Sequence, residues 1–359
     1  MMNSLEFRDP DRAKKFSDLI KKTAPEEKLT IMHVCGTHES SICEYGIRSV
    51  LPDNIELVEG PGCPVCVTPA LHVDEALELS YRDDLTVATF GDMVKVPGTE
   101  DRLTKERENV KIVYSVADAV DFAKKSESEV VFFGVGFETT AATYAPVLLE
   151  GPENFSFLGS VKKIPPAMEF LLDSEEVKVD AFLAPGHVST IIGSKPYQSL
   201  SDEYNVPIVV AGFEPLDVLS AIARLLKLLK SGEGRVENDY ARAVKDEGNL
   251  KALKMIDQAF EVDDTAWRGI GEIPSSGLRV KDENLDARKK YDLKVEGDKY
   301  GVPAGCICDE IILGKSKPDK CKLFREEKCT PQNPVGPCMV GSEGMCNVWF
   351  EYGGRPKIG

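Results

Sequence analysis

No stretch of this chain approaches the roughly 18 consecutive apolar residues that mark a bilayer-spanning segment. The opening, MMNSLEFRDPDRAKK, has no apolar core of the kind a signal peptide carries. A cytoplasmic protein without membrane contact is therefore expected. Basic residues are in deficit: 44 Lys and Arg face 60 Asp and Glu, a formal charge of −16. Phosphate backbones recruit clustered Lys and Arg, so no nucleic-acid role is expected. No G-x-x-x-x-G-K-[ST] run occurs, and Gly134-Val135-Gly136 lacks the third glycine of a dinucleotide fingerprint, which leaves nucleotide binding without support. Histidine is scarce, and none lies beyond His187. Cysteine is missing throughout residues 67–305.

The thiols that are present fall into two groups. Cys35, Cys43, Cys63 and Cys66 lie near the start, and Cys306, Cys308, Cys321, Cys329, Cys338 and Cys346 crowd the end. Thiols used only for packing would scatter, whereas grouped thiols share a metal, a cluster or a redox partner. In a reducing compartment they stay reduced unless catalytic or metal-bound. At 359 residues, 42% hydrophobic and 29% charged, the chain fits two or three ordinary globular domains.

Residues 9–22 read as a capped amphipathic helix with Phe16, Leu19 and Ile20 on one face, and 216–230 as a second, stopped by Ser231-Gly232. Between them run short, nearly continuous apolar strands, each ending in a Gly-containing turn, at 29–34, 55–58, 85–90, 130–135, 181–184 and 208–211, with an extra β-rich run at 155–161. Such strands alternating with helices predict parallel sheets covered on both faces. The turns recur in order, CGTHE, GPGC and GDM against GFETT, PGH and GFEP, and suggest an internal duplication. The expected fold class is α/β: two similar parallel-sheet domains, 29–128 and 129–235, facing a cleft. Residues 1–28 with 236–359 would form an irregular Cys-rich iron–sulfur domain, with a charged helix at about 237–260.

Cys63-Pro64-Val65-Cys66 follows a strand directly, and its spacing lets two sulfurs bind one soft metal or close a disulfide. No second C-x-x-C lies nearby to complete a zinc site. Cys35 closes the first strand, with His38 three residues on as a potential base; alone, a buried Cys beside a capping Thr37 is the simpler reading. Cys43 is expected in the following helix, as core. Asp92, Glu138, His187 and Glu214 occupy the corresponding turns and could move protons or hydrogen-bond a ligand, though each could equally be a cap or turn former. Six tail sulfurs with no histidine suggest all-thiolate ligation, either an iron–sulfur cluster or four-thiolate zinc.

CGTHE (35–39), GPGCPVC (60–66), FGDM…VPG (90–98), GFETT (136–140), PGHVS (185–189), GFEP (212–215) and the tail from Cys329 to Cys346 together resemble the HypD family of [NiFe]-hydrogenase maturation proteins. The segment WRGIGEIPSSGL (267–278) also resembles that family's. The likeness covers nearly the whole chain. It implies a protein, monomeric alone, that works with a HypC-type chaperone and a HypE-type cyanide donor to build an Fe(CN)2CO group on Fe(II). By the same resemblance, Cys35 would be an iron ligand, Cys63 and Cys66 would be the further thiols for holding the iron or for redox steps of cyanation, and the tail would carry a [4Fe–4S] cluster on Cys306, Cys321, Cys329 and Cys346. Cys308 and Cys338 form an adjacent redox pair, although exchanging Cys306 with Cys308 fits nearly as well. Gly341 and Asp309 depart from the family pattern without removing a thiol. The alternative is a freestanding thiol–disulfide oxidoreductase fed by an iron–sulfur cluster.

Overall fold

The structure, a computed structural model, describes residues 7–354. The first half contributes β1 (Leu29–His33), β2 (Ile55–Glu59), β3 (Leu85–Thr89), β4 (Val110–Ile112) and β5 (Glu129–Gly136). The second contributes β6 (Phe155–Lys162), β7 (Ala181–Pro185), β8 (Ile208–Ala211), β9 (Val236–Asn238), β10 (Phe260–Trp267) and β11 (Gly271–Val280). One sheet has the order β2-β1-β7-β8-β9 and is parallel throughout. The other has the order β10-β11-β6-β5-β3-β4, parallel from β6 to β4 with an antiparallel hairpin on its β6 edge.

The strands lie where their apolar runs place them, because both faces are covered. Ile31 and Leu57 pack on one face of the first sheet with Leu219, Ile222 and Leu226 of the helix Pro215–Ser231. Met32 and Val58 pack on the other. Strand membership differs from the contiguous division at 128/129. After β2 the chain leaves the first sheet, builds β3 to β6 of the second, and returns only at β7. A Gly turn reports where a strand ends and carries no information about its neighbour, which packing decides.

Two further differences concern the flanks. The helix Pro10–Thr23, capped by the Asp9 carboxylate accepting from the Asp11 and Arg12 N–H groups, docks its Phe16–Leu19–Ile20 stripe in the core that holds the helix Pro215–Ser231. It joins the first sheet and does not pack with the Cys-rich tail as expected. The stretch 237–260 is helical only over Leu250–Ala259, begun by the Asn249 side chain accepting from Ala252 N–H. Residues 1–6 and 355–359 of the expected third domain lie outside the described residues. The tail has only short helices and contributes Cys308, Ile311, Cys338, Met339 and Cys346 to the core shared with Met32, Val58, Phe137 and Trp267. Among the described residues no helix is long and apolar enough to cross a membrane.

Candidate functional site

In each sheet, neighbouring strands leave in opposite directions at one point. β1 leads to β2 on one side while β7 leads to β8 on the other; β3 leads to β4 while β5 leads to β6. Such switch points open a crevice at the strands' carboxyl ends. Cys35 follows β1 and His187 follows β7; Asp92 follows β3 and Glu138 follows β5. Four of the six motif loops thus share one edge of the first sheet, in the order CPVC, CGTHE, PGHVS, GFEP.

Cys35 stands at the N-terminus of the helix Gly36–Glu44, in extended backbone. The Cys63 loop passes directly against it: a Cβ at Gly62 would lie 2.6 Å from Cys35 Cα, so only glycine permits the approach. The tail closes the other side, since a Cβ on Gly36 would lie 2.5 Å from Glu343 Cβ, and the Thr37 hydroxyl donates to Glu343 Oε1 (2.7 Å). Burial and the Glu343 charge push the Cys35 thiol up to about 12, against the Thr37 and His38 N–H groups. Cys63 and Cys66 form a disulfide, with Cα atoms 5.3 Å apart, and both are buried.

The polar candidates surround this point unequally. His38 donates through Nε2 to the Gly212 carbonyl (3.0 Å), leaving Nδ1 buried without a partner. Burial and the neighbouring His33 hold its pKa down at about 3, so His38 is neutral at ordinary pH. His187 lies on the Phe213 ring (centroids 4.0 Å apart), its pKa lowered by burial against the opposing pull of Glu343. Glu138 is buried; Oε1 accepts from Ile164 N–H (3.0 Å) and Oε2 has no partner. Burial raises it to about 7, the range in which a carboxyl both gives and takes protons. Asp92 is raised by burial, and a Cβ on Gly341 would sit 3.3 Å from its Oδ2. Glu214 is engaged elsewhere: it begins the helix Pro215–Ser231 and pairs with Arg8 (2.7 Å), which accounts for it as a cap.

Five buried charged groups, Glu39, Arg48, Glu59, Lys162 and Arg268, escaped the sequence reading. Glu39 accepts from Arg48 (2.9 and 2.6 Å), the Trp349 indole N–H (2.6 Å) and His33 Nε2 (2.8 Å), and His33 Nδ1 faces the Cys35 carbonyl (3.2 Å). Burial alone would raise the Glu39 carboxyl, but Arg48 and His33 outweigh it and hold it below the usual range. Cys43, in the helix as expected, donates to Glu39 Oε1 (3.2 Å). Glu59, at the end of β2, is buried with Oε2 unpartnered. Lys162 donates to the Ala266 carbonyl (2.8 Å) and is lowered to about 7 by burial. Arg268 is buried, its Nε without a partner, and lowered to about 10 by burial.

In the tail, Cys306, Cys308, Cys321, Cys329 and Cys346 line one small cavity of about 10 Å3 with apolar walls, and Cys338 does not line it. Cys306 and Cys308 sulfurs are 3.2 Å apart, and Cys329 accepts from Val335 N–H (3.3 Å). Hydrogen bonds from Cys306, Cys338 and Cys346 hold Cys308 well below the ordinary thiol range, while Cys338 and Cys346 are pushed up. As the side chains stand, no group of three or more His, Cys, Asp or Glu among the described residues is arranged to hold a metal ion. For Cys63 and Cys66 the reason is chemical: a disulfide must be reduced before its sulfurs can ligate. In the tail, an all-sulfur donor set around an apolar cavity fits a thiolate-bound cluster in chemistry.

Comparison with known proteins identifies the family. The HypD family model, described as the hydrogenase formation hypA family, matches residues 11–353. The chain is 48% identical to a putative hydrogenase expression/formation protein of Methanocaldococcus jannaschii, over 95% of this chain and 98% of that protein. It is 40% identical to the hydrogenase maturation factor HypD of Cupriavidus necator, over 97% of this chain and 96% of that one. To the factor of the same name from Rhodobacter capsulatus it is 39% identical, over 97% of each. The chain therefore belongs to the HypD family of hydrogenase maturation and expression proteins.

Proposed function

We propose that the protein is an assembly scaffold on which iron, as cargo, receives cyanide and carbon monoxide before delivery to a hydrogenase. Cys35 and the reduced Cys63 and Cys66 grip the Fe(II), together with a HypC-type chaperone docked over Cys35, and a HypE-type partner supplies cyanide. The observation that supports this reading is the backbone contact between Gly62 and Cys35, which sets the Cys63–Cys66 loop against the end of β1. Softness suits the donors: thiolates favour Fe(II) carrying strong-field ligands. Burial keeps Cys35 a thiol by itself, and a bound cation is what would stabilise its thiolate. Glu138, balanced near neutrality, is the group that takes and returns protons as ligands are added, and His38, held neutral, offers its free Nδ1 as a hydrogen-bond acceptor. His187 walls the crevice on the β7 side.

Cys306, Cys321, Cys329 and Cys346 would hold a [4Fe–4S] cluster, which when bound supplies single electrons. Cys338, outside the sulfur-lined cavity but hydrogen-bonded to Cys308, suits a redox pair with it. The second reading, a freestanding thiol–disulfide oxidoreductase, is favoured by one observation: the Cys63–Cys66 disulfide shares a core with Cys308 and Cys338. Infrared spectra of the chaperone complex separate the two. Cyanide and carbonyl bands are expected in the wild type and absent from Cys35→Ala. A complex of Cys35→Ala that keeps both bands favours the oxidoreductase.

A further inference from the structure

Outside the thiol crevice the fold leaves a cleft of about 720 Å3 between the helix Ile164–Asp173, residues 192–200, the helix Leu250–Ala259 and the β10–β11 hairpin. Its walls are apolar, with Pro165, Leu200, Leu253, Ile256 and Leu278 among them, and none of Cys35, Cys63 and Cys66 lines it. That volume and lining are those of a small-molecule site, in which a few fixed polar groups orient an apolar body. The fixed polar group here is Glu138, which lines the cleft yet is only 4% exposed. Its Oε1 accepts from Ile164 N–H (3.0 Å), which holds the carboxyl in place, and Oε2 has no partner. A buried acceptor left unpaired costs free energy, and a ligand donor that reaches it recovers that cost.

The charges around the cleft select the donor. Glu169 and Asp257 stand exposed on its rim, and Glu261, also lining it, pairs with Arg279 (3.0 Å). Of the two lysines there, Lys281 donates to the Asp257 carbonyl, and Lys163 acts on Glu138 through space without donating to Oε2. Tyr197 also feels Glu138, but its hydroxyl is engaged with Ser189 (3.1 Å). Four acids thus line the cleft against two lysines, and no protein cation reaches the buried one. A carboxylate ligand would be repelled there, and a hydroxyl would satisfy Oε2 without balancing its charge. An ammonium does both, in the stronger, charge-assisted kind of hydrogen bond. We propose that this cleft is a binding site for a small organic amine with an apolar body. The ammonium N–H donates to Glu138 Oε2, and Leu200, Leu253, Ile256 and Leu278 cover the hydrocarbon part. The site shares Glu138 with the scheme proposed above and does not depend on that scheme.

Calorimetric titration of the full-length protein with 3-phenylpropylamine tests this, beside the alcohol and the carboxylate of the same skeleton, 3-phenylpropanol and 3-phenylpropionate. One amine per chain is expected to bind, at least about tenfold more tightly than the alcohol, and the carboxylate not at all. Glu138→Gln keeps the shape without the charge and should bring the amine down to the affinity of the alcohol. Ser199→Trp, at an exposed position lining the cleft, should block binding of both. At pH 6 the amine is already charged, so pairing draws the proton off Glu138. Titration in buffers of different ionisation enthalpy should then show about one proton released per amine in the wild type and none in Glu138→Gln. A carboxyl that only supports the fold would give no such release. The proposal is overturned by no saturable amine binding below about 10 mM, by equal affinity for amine and alcohol in the wild type, or by amine binding that survives both substitutions unchanged.

Discussion

Glu138 shows how one buried carboxyl sets a pH dependence. Its folded pKa, about 7, lies above the ordinary 4.5, so the folded chain holds a proton that the unfolded chain gives up. The folded state is then least penalised below about pH 4.5, and stability falls as pH rises through about 7. The full difference is about 3 kcal/mol. Glu138→Gln is expected to unfold at higher temperature than the wild type at pH 8 and near the same temperature at pH 5, as read by calorimetry. Arg48 predicts the opposite kind of effect. Arg48→Met leaves the Glu39 carboxylate buried without its main cation, which costs about 3–5 kcal/mol and should appear as an early urea transition. Glu39, Arg48, Glu59, Lys162 and Arg268 carried no signal in the sequence that their side chains are buried. A charged residue at a strand end reads as a solvated cap, and only the tail folding over β1 and β2 removes the water. Cys35, Cys63 and Cys66 were legible because softness and spacing are properties of the residues themselves.

At the scale of elements, the close approach of the Cys63 loop to the end of β1 depends on Gly62. Gly62→Ala places a methyl group into the Val34–Cys35 backbone, which cannot move aside as a flexible side chain could. The variant is expected to lose the cyanide and carbonyl bands while keeping the tail's visible absorbance, which separates crevice damage from global unfolding. Strand positions were readable because strands buried on both faces are nearly continuous apolar runs. Pairing was not, since β1 lies beside β7 only because intervening strands were exported to the other sheet. The hairpin of β10 and β11 was missed for a different reason. Pro274, Ser275 (φ 53°) and Gly277 interrupt its alternation, and a register shift falls between Asp263 and Thr265.

Across the whole molecule, two opposed switch points and a sulfur-rich tail meet in one core, so thiols far apart in sequence become neighbours. The tail, irregular in sequence, is bound by shared packing with Met32, Val58 and Trp267. Whether the tail carries the proposed iron–sulfur cluster or zinc is separable by simple means. Anaerobically purified protein is expected to be brown and to contain acid-labile sulfide. Cys329→Ser should lose both and Cys338→Ser should keep them; colourless protein with one zinc would replace the cluster. The central claim is that Cys35 and the two loop thiols hold a single iron distinct from that cluster. Mössbauer spectroscopy of the 57Fe-labelled chaperone complex tests it most directly, because low-spin ferrous iron and cluster iron give separate signals. The low-spin component should vanish in Cys35→Ala and in Cys63→Ala while the cluster component stays unchanged; a low-spin component that survives either substitution contradicts the account.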